Sequence, residues 1–288
     1  MIAVFKREAG ACFKGVLGYL LAAFLLMFAG IYCMAYNLSG YYSNFEYVLD
    51  SIAFIYLIAV PIISMRSMAE ERRQKTDQLL YALPIRMSDV VMGKYLAMLL
   101  VLAVPTVIMG FYPLILSQFG TVALSTAYGA LLAFFLLGAA LLSIGLFISS
   151  LTDSQVAAAV ITLVTMLLLY FMSGLASFVS TEASASLLAL SVLAVILALI
   201  IYALTRNPIV AALVGIVCIG GLQLWYQADS AAFSGLFAGI MGAISVFDRF
   251  SPFVEGVFDL TTVVYDLSII GVFLFLTVQV MEKRRWNE

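Results

Sequence analysis

The chain carries 14 basic and 16 acidic side chains, and ten of them lie in one stretch: Arg66, Glu70, Glu71, Arg72, Arg73, Lys75, Asp77, Arg86, Asp89 and Lys94. Groups of both signs at this density can pair with one another or steer a charged soluble partner. Leu79, Leu80 and Leu83 sit among them. Three leucines inside a charged loop are unfavourable in water and need a bilayer surface or a partner groove. Enzymatic chemistry is poorly supplied. There is no histidine, which removes Ser–His catalysis, His-bearing zinc sites and imidazole proton relays. A phosphate-cradling loop needs Gly-x-x-x-x-Gly-Lys-[Ser/Thr]. Its nearest candidate, Gly93-Lys94, has Ser88 in place of the first glycine and Tyr95 after the lysine. Cys12, Cys33 and Cys218 match no metal or disulfide spacing. No catalytic, cofactor-binding or metal-binding residue is assigned. Asp266 and Asp50 lie near the outer ends of apolar segments, and Asp266 reads as a helix-start residue. Thr162, Thr165 and Ser173 could line a path, although such side chains more often bond their own backbone.

The elements that must position the charged stretch are membrane helices. The 288 residues are 65% hydrophobic and 10% charged, with a mean hydropathy of +1.14. Soluble domains are about 45–50% apolar and about 25% charged. In lipid every backbone polar group must be bonded internally, and long unalternating apolar runs do this as helices. The fold class is therefore all-α, a polytopic helical bundle within a single domain, 1–288. Eight apolar segments are expected to span: Val16–Tyr36, Tyr47–Met65, Val90–Leu116, Leu124–Leu151, Gln155–Leu175, Ser186–Leu204, Ile209–Tyr226 and Thr262–Met281. Residues 1–14 alternate as an amphipathic helix, with Ile2, Phe5, Ala9, Cys12 and Phe13 on one face, and lie in the inner interface. Met68–Gln78 reads as a helix with Glu71 and Lys75 paired at i, i+4. Pro84 ends or bends the short leucine segment, and Ser88 and Asp89 can cap the next helix.

Positive charge orients the bundle. With both termini cytoplasmic, only Arg249 among the 14 basic residues lies outside. The outer loops carry Glu46, Glu182, Asp229, Asp248, Glu255 and Asp259 instead. Within 227–260, Ala231–Phe247 is uncharged and is read as a short helix or re-entrant hairpin at the outer surface. A ninth span is the alternative, but it would put Lys283, Arg284 and Arg285 outside. The net charge of −2 gives no reason to expect nucleic acid.

The loop also resembles a known family. Glu70-Glu71-Arg72-Arg73-Gln74-Lys75-Thr76-Asp77-Gln78-Leu79-Leu80, then Leu83-Pro84, then Gly93-Lys94-Tyr95-Leu96-Ala97, resembles the cytoplasmic loop of ABC-2-type transporter permeases. The branch most similar is that of the gliding-motility and nitrous-oxide-reductase-maturation permeases. Lys75-Thr76 stands where Gly-Thr is commoner in the family. Phe250-Ser251-Pro252-Phe253, Gly256-Val257-Phe258-Asp259-Leu260, Tyr265 and Arg284-Arg285-Trp286 follow the closing pattern of the same branch. Residues 186–226 would be a helical hairpin added to the six spans of the basic permease.

The resemblance implies a permease in the bacterial cytoplasmic membrane that pairs with a second permease, either the same chain or a paralogue. Cytoplasmic ATPase subunits would supply ATP and magnesium. A coupling helix in the 66–94 loop, between spans two and three, would dock on the ATPase through Leu79, Leu80 and Leu83. Glu70, Glu71, Arg72, Arg73, Thr76 and Pro84 would shape that contact, with Gly93 and Lys94 where span three enters the membrane. Export of lipid-linked, peptidic or polysaccharide cargo would follow, and an extracytoplasmic accessory protein could dock on Asp248, Glu255 and Asp259. Two other functions fit the composition: a membrane scaffold without transport, and an ion-coupled secondary transporter.

Overall fold

A computed structural model describes residues 1–74, 86–205 and 207–287. Every regular element among them is helical. In chain order these are α1 (Ile2–Lys14), α2 (Val16–Cys33), α3 (Glu46–Ile52), α4 (Tyr56–Ser64), α5 (Ala69–Arg73), α6 (Met87–Met109), α7 (Phe111–Leu116) and α8 (Leu124–Leu151). They continue as α9 (Gln155–Phe178), α10 (Ala183–Thr205), α11 (Pro208–Ala228), α12 (Leu236–Ile244), α13 (Ser251–Val254) and α14 (Leu260–Asn287).

Among the described residues six stretches are long and apolar enough to cross a membrane: Gly18–Ser39, Glu46–Arg73, Met87–Leu116, Leu124–Leu151, Gln155–Phe178 and Leu260–Trp286. The broken stretch 231–254 would make a seventh if counted as one. The other two expected spans are present as helices α10 and α11, but their apolar stretches Ala183–Leu199 and Ala212–Ala228 are shorter than the six. The second span runs past the expected Met65 to Arg73, so the charged cluster continues the span.

The chain forms two compact units, Met1–Tyr170 with Arg249–Glu288, and Phe171–Asp248. In the first unit α8 is central, with α4, α6 and α14 packed around it. Two glycines permit this. A Cβ on Gly138 would lie 2.6 Å from Leu102 and 2.8 Å from the Tyr56 ring, and one on Gly145 would lie 2.7 Å from the Ser64 hydroxyl. Tyrosine hydroxyls then reach carbonyls of α8: Tyr56 donates to Phe134 at 2.9 Å and Tyr95 donates to Ala139 at 3.0 Å. Burying a phenol without such a partner would be costly.

In the second unit α10 and α11 pack side by side. Asn207 caps α11 by accepting from the Ile209 N–H at 3.0 Å. The segment after α11 is pinned to the turn before α10, because the Thr181 carbonyl accepts from the Gly235 N–H at 2.9 Å and from the Ser234 hydroxyl at 3.1 Å. Gly235 has φ +71, which a residue with a side chain seldom adopts. Phe233 is buried against Trp225 and Tyr226. Helix α12 has nine residues, where crossing takes about 20.

One expectation is corrected at the start of the last span. Asp259, not Asp266, is the helix-start residue. Its carboxylate accepts from the Thr261 N–H and from the Thr262 hydroxyl, both at 2.9 Å. These bonds hold Asp259 below the usual carboxylate range. Asp266 lies more than a turn further along α14 and is 3% exposed. The start was already capped, which left the second acid free to face inward.

Candidate functional site

The charged residues assemble around α5, a five-residue helix. On one side it meets α6 and α1. Lys94 of α6 is 1% exposed. Its ammonium donates to the Ser67 carbonyl at 2.6 Å and pairs with Glu71 at 2.9 Å and Glu8 at 3.3 Å. Arg7 closes the ring by contacting Glu8 at 2.6 Å and also Glu71. Two cations thus alternate with two carboxylates across α1, α5 and α6. Three acceptors match the three donors of an ammonium, which is how a buried lysine can stay charged. Gly93 explains the approach of α1. A Cβ there would lie 3.0 Å from the Val4 Cβ and 3.1 Å from the Met1 carbonyl. The pair Gly93-Lys94 therefore acts as a unit, in which the glycine admits the amphipathic helix and the lysine anchors it.

On its other side α5 meets α8, the α8–α9 turn and the end of α14. Arg72, 8% exposed, donates to the Thr152 carbonyl at 3.1 Å and to Asp153 at 3.4 Å, and faces the Met281 sulfur at 3.6 Å. Arg284 donates to the same Asp153 oxygen at 3.0 Å and to the Leu151 carbonyl at 2.9 Å. The hydrogen bond from Arg284, aided by the charges of Arg284 and Arg72, holds the Asp153 carboxyl below its usual range. The start of α5 is capped from outside the segment. The Ser149 hydroxyl accepts from the N–H of Met68 at 3.3 Å and of Ala69 at 3.2 Å, which satisfies two donors that a helix start leaves open.

Glu71 and Lys94 are brought together, Arg72 is carried to the opposite face, and Gly93 packs on α1. Among the described residues Glu70 contacts Arg66 at 3.6 Å and Gln74 at 3.4 Å, and Arg73 is exposed. Thr76, Leu79, Leu80, Leu83 and Pro84 lie outside the described residues, as does Lys75. Glu71 is engaged by Lys94 and Arg7, an arrangement that i, i+4 spacing does not reveal. Sequence reasoning also missed Glu8, Ser149, Asp153 and Arg284 as parts of the site. One signal was present for Asp153: it is the single charge in the short turn joining two apolar helices.

The arrangement holds no nucleophile activated by a base. It is a two-sided electrostatic clamp on a short helix at the charged end of a membrane bundle. Residues 33–203 match the family described as ABC-2 family transporter protein. No curated protein matches the chain. The family match covers more than half of the chain, from the end of the first span through the whole charged loop to α10. The protein belongs to the ABC-2 transporter family and is a multi-pass permease subunit of an ABC transporter.

Proposed function

We propose that this permease belongs to an ATP-driven exporter of the gliding-motility and nitrous-oxide-maturation branch, set in the bacterial cytoplasmic membrane with both termini inside. The observation that carries the reading is the clamp on α5. A helix fixed to α1 and α6 on one side and to α8 and α14 on the other can pass a push on the 66–94 loop to several spans at once. Lys94, Glu71 and Arg72 then act by holding that lever, since their charged groups are engaged within the chain. Contact with the ATPase falls to Leu79, Leu80 and Leu83, and ATP and magnesium stay in that partner chain. A second permease, either the same chain or a paralogue, completes the translocation path.

The test is co-purification of the chain from membranes with and without the substitutions Leu79→Asp and Leu83→Asp. Two carboxylates forced into an apolar groove cost several kcal/mol. The unsubstituted chain should bring down an ATPase, and the doubly substituted chain should lose it while remaining inserted. Full ATPase recovery and unchanged hydrolysis in the double variant would remove the docking assignment. A chain that moves cargo on an ion gradient alone would remove the ATP-driven reading.

A further inference from the structure

Beside the ion ring is a cavity of about 280 Å³, roughly nine waters by their liquid volume. Its mouth carries Glu8, Arg66, Glu70 and Lys94, and its floor is formed by Leu21, Ile63, Met98 and Val101. Two of the spans that line it are charged at one end and apolar further in: span two goes from Arg66 back to Ile63, and span three from Lys94 to Val101. That last step is about 10 Å at 1.5 Å per residue. A gradient of this direction is that of an amphipathic molecule standing in the adjoining leaflet, headgroup at the charged end and chains toward the bilayer centre.

The charges select the headgroup. Lys94 and Glu8 are committed to each other and to Glu71 and Arg7. Arg66 and Glu70 are held less tightly: among the described residues they meet each other in a long 3.6 Å contact, Glu70 also accepts from Gln74 at 3.4 Å, and their side chains are 50% and 35% exposed. A guanidinium suits a phosphate, which its planar fork can grip with two N–H groups. A carboxylate beside it suits an ammonium that still has N–H donors. The cavity thus offers one loosely paired, partly exposed group of each sign. We propose that this cavity binds a zwitterionic phospholipid with a primary-amine headgroup, its phosphate on Arg66 and its ammonium on Glu70. An anionic phospholipid would leave Glu70 facing negative charge. A quaternary-amine lipid could not donate to Glu70.

The proposal does not depend on the transport reading and is tested without ATPase. The purified full chain is stripped of lipid. It is then offered phosphatidylethanolamine, phosphatidylcholine and phosphatidylglycerol at equal concentration, and the retained lipid is weighed by native mass spectrometry. Phosphatidylethanolamine should be retained at least tenfold over the other two. Arg66→Gln, at a half-exposed position, should abolish that preference. Ala11→Trp, which fills the cavity from the exposed side of α1, should lower retention tenfold. If the tryptophan variant misfolds, Arg66→Gln decides alone. Leu100→Trp, in the separate apolar groove with Ile2 and Phe5, should change nothing. Equal retention of phosphatidylglycerol, retention indifferent to Arg66→Gln, or a loss caused by Leu100→Trp would each overturn the assignment. So would equal competition by water-soluble glycerophosphoethanolamine, since the apolar floor would then contribute nothing.

Discussion

Replacing Lys94 by methionine removes one charge from a buried ring and keeps most of the side-chain volume. The ammonium has three acceptors: the Ser67 carbonyl at 2.6 Å, Glu71 at 2.9 Å and Glu8 at 3.3 Å. Its loss orphans the carbonyl, which costs about 1–3 kcal/mol. It also takes one of the ring's two cations away from Glu8 and Glu71. Breaking a fully buried pair costs about 3–5 kcal/mol. Here the Glu8 and Glu71 side chains keep 20% and 17% exposure and Arg7 stays in place, so about 2–3 kcal/mol is expected. The loss should be local. Amide exchange in α1 and α5 of the purified protein should accelerate about 30- to 150-fold, with little change in α8. Lys94→Met combined with Glu71→Gln removes one orphaned charge and should cost about 1–2 kcal/mol less than the two single effects summed. If Lys94→Met leaves exchange in α1 unchanged, the ring does not anchor that helix. If the single effects add to within about 0.5 kcal/mol, the two groups are not coupled.

Ser149→Ala removes the external cap of α5 and should cost about 1 kcal/mol, seen as faster exchange at Met68 and Ala69 and not at the start of α6. Gly145→Val pushes a side chain into Ser64, where even a Cβ would approach to 2.7 Å. It should destabilise the bundle by about 1–3 kcal/mol, measured as a lower thermal midpoint, and an unchanged midpoint would show that α4 can move aside. Asp153 has a depressed folded-state pKa, so its contribution is complete above the unfolded value and is lost as pH falls through the folded one. The carboxylate is 77% exposed, which limits the effect to about 1 kcal/mol. Asp153→Asn should therefore lower the thermal midpoint slightly at pH 7 and match the parent only in acid below the ordinary aspartate range, once pH has fallen through the lowered folded-state value; a gap that persists there would assign the effect to something other than the charge.

Composition alone dictated helices in lipid, and hydropathy located the helical segments to within a few residues at most ends. Charge density drew attention to the candidate site, because a third of the ionised groups can gather in one stretch of a membrane chain only where water or other charges meet them. The partners within the site were less legible. Glu71 pairs with Lys94 of the next span and with Arg7 of α1, partners that the local i, i+4 spacing does not point to. The packing seam of α8 was not legible either: its close approaches occur at Gly138 and Gly145, seven residues apart. Helix-period patterns mark which residues share a face. They do not say which face a neighbouring span will choose. Asp153 and Arg284 are 131 residues apart, a separation that no local pattern bridges.

The brevity of α5 has a consequence of its own. Isolated helices shorter than about 12–15 residues are marginal in water, so five residues have no independent tendency to stay wound. Their winding is supplied by a hydroxyl from α8, a carboxylate partner on α6 and a carbonyl in the α8–α9 turn. Each turn of helix advances the chain about 5.4 Å and completes a full rotation. The bearing on which the backbone leaves Gln74 is therefore set by whether all three neighbours hold at once. A displacement of either span loosens the screw, and a torque applied at Gln74 is felt by α6 and α8 together.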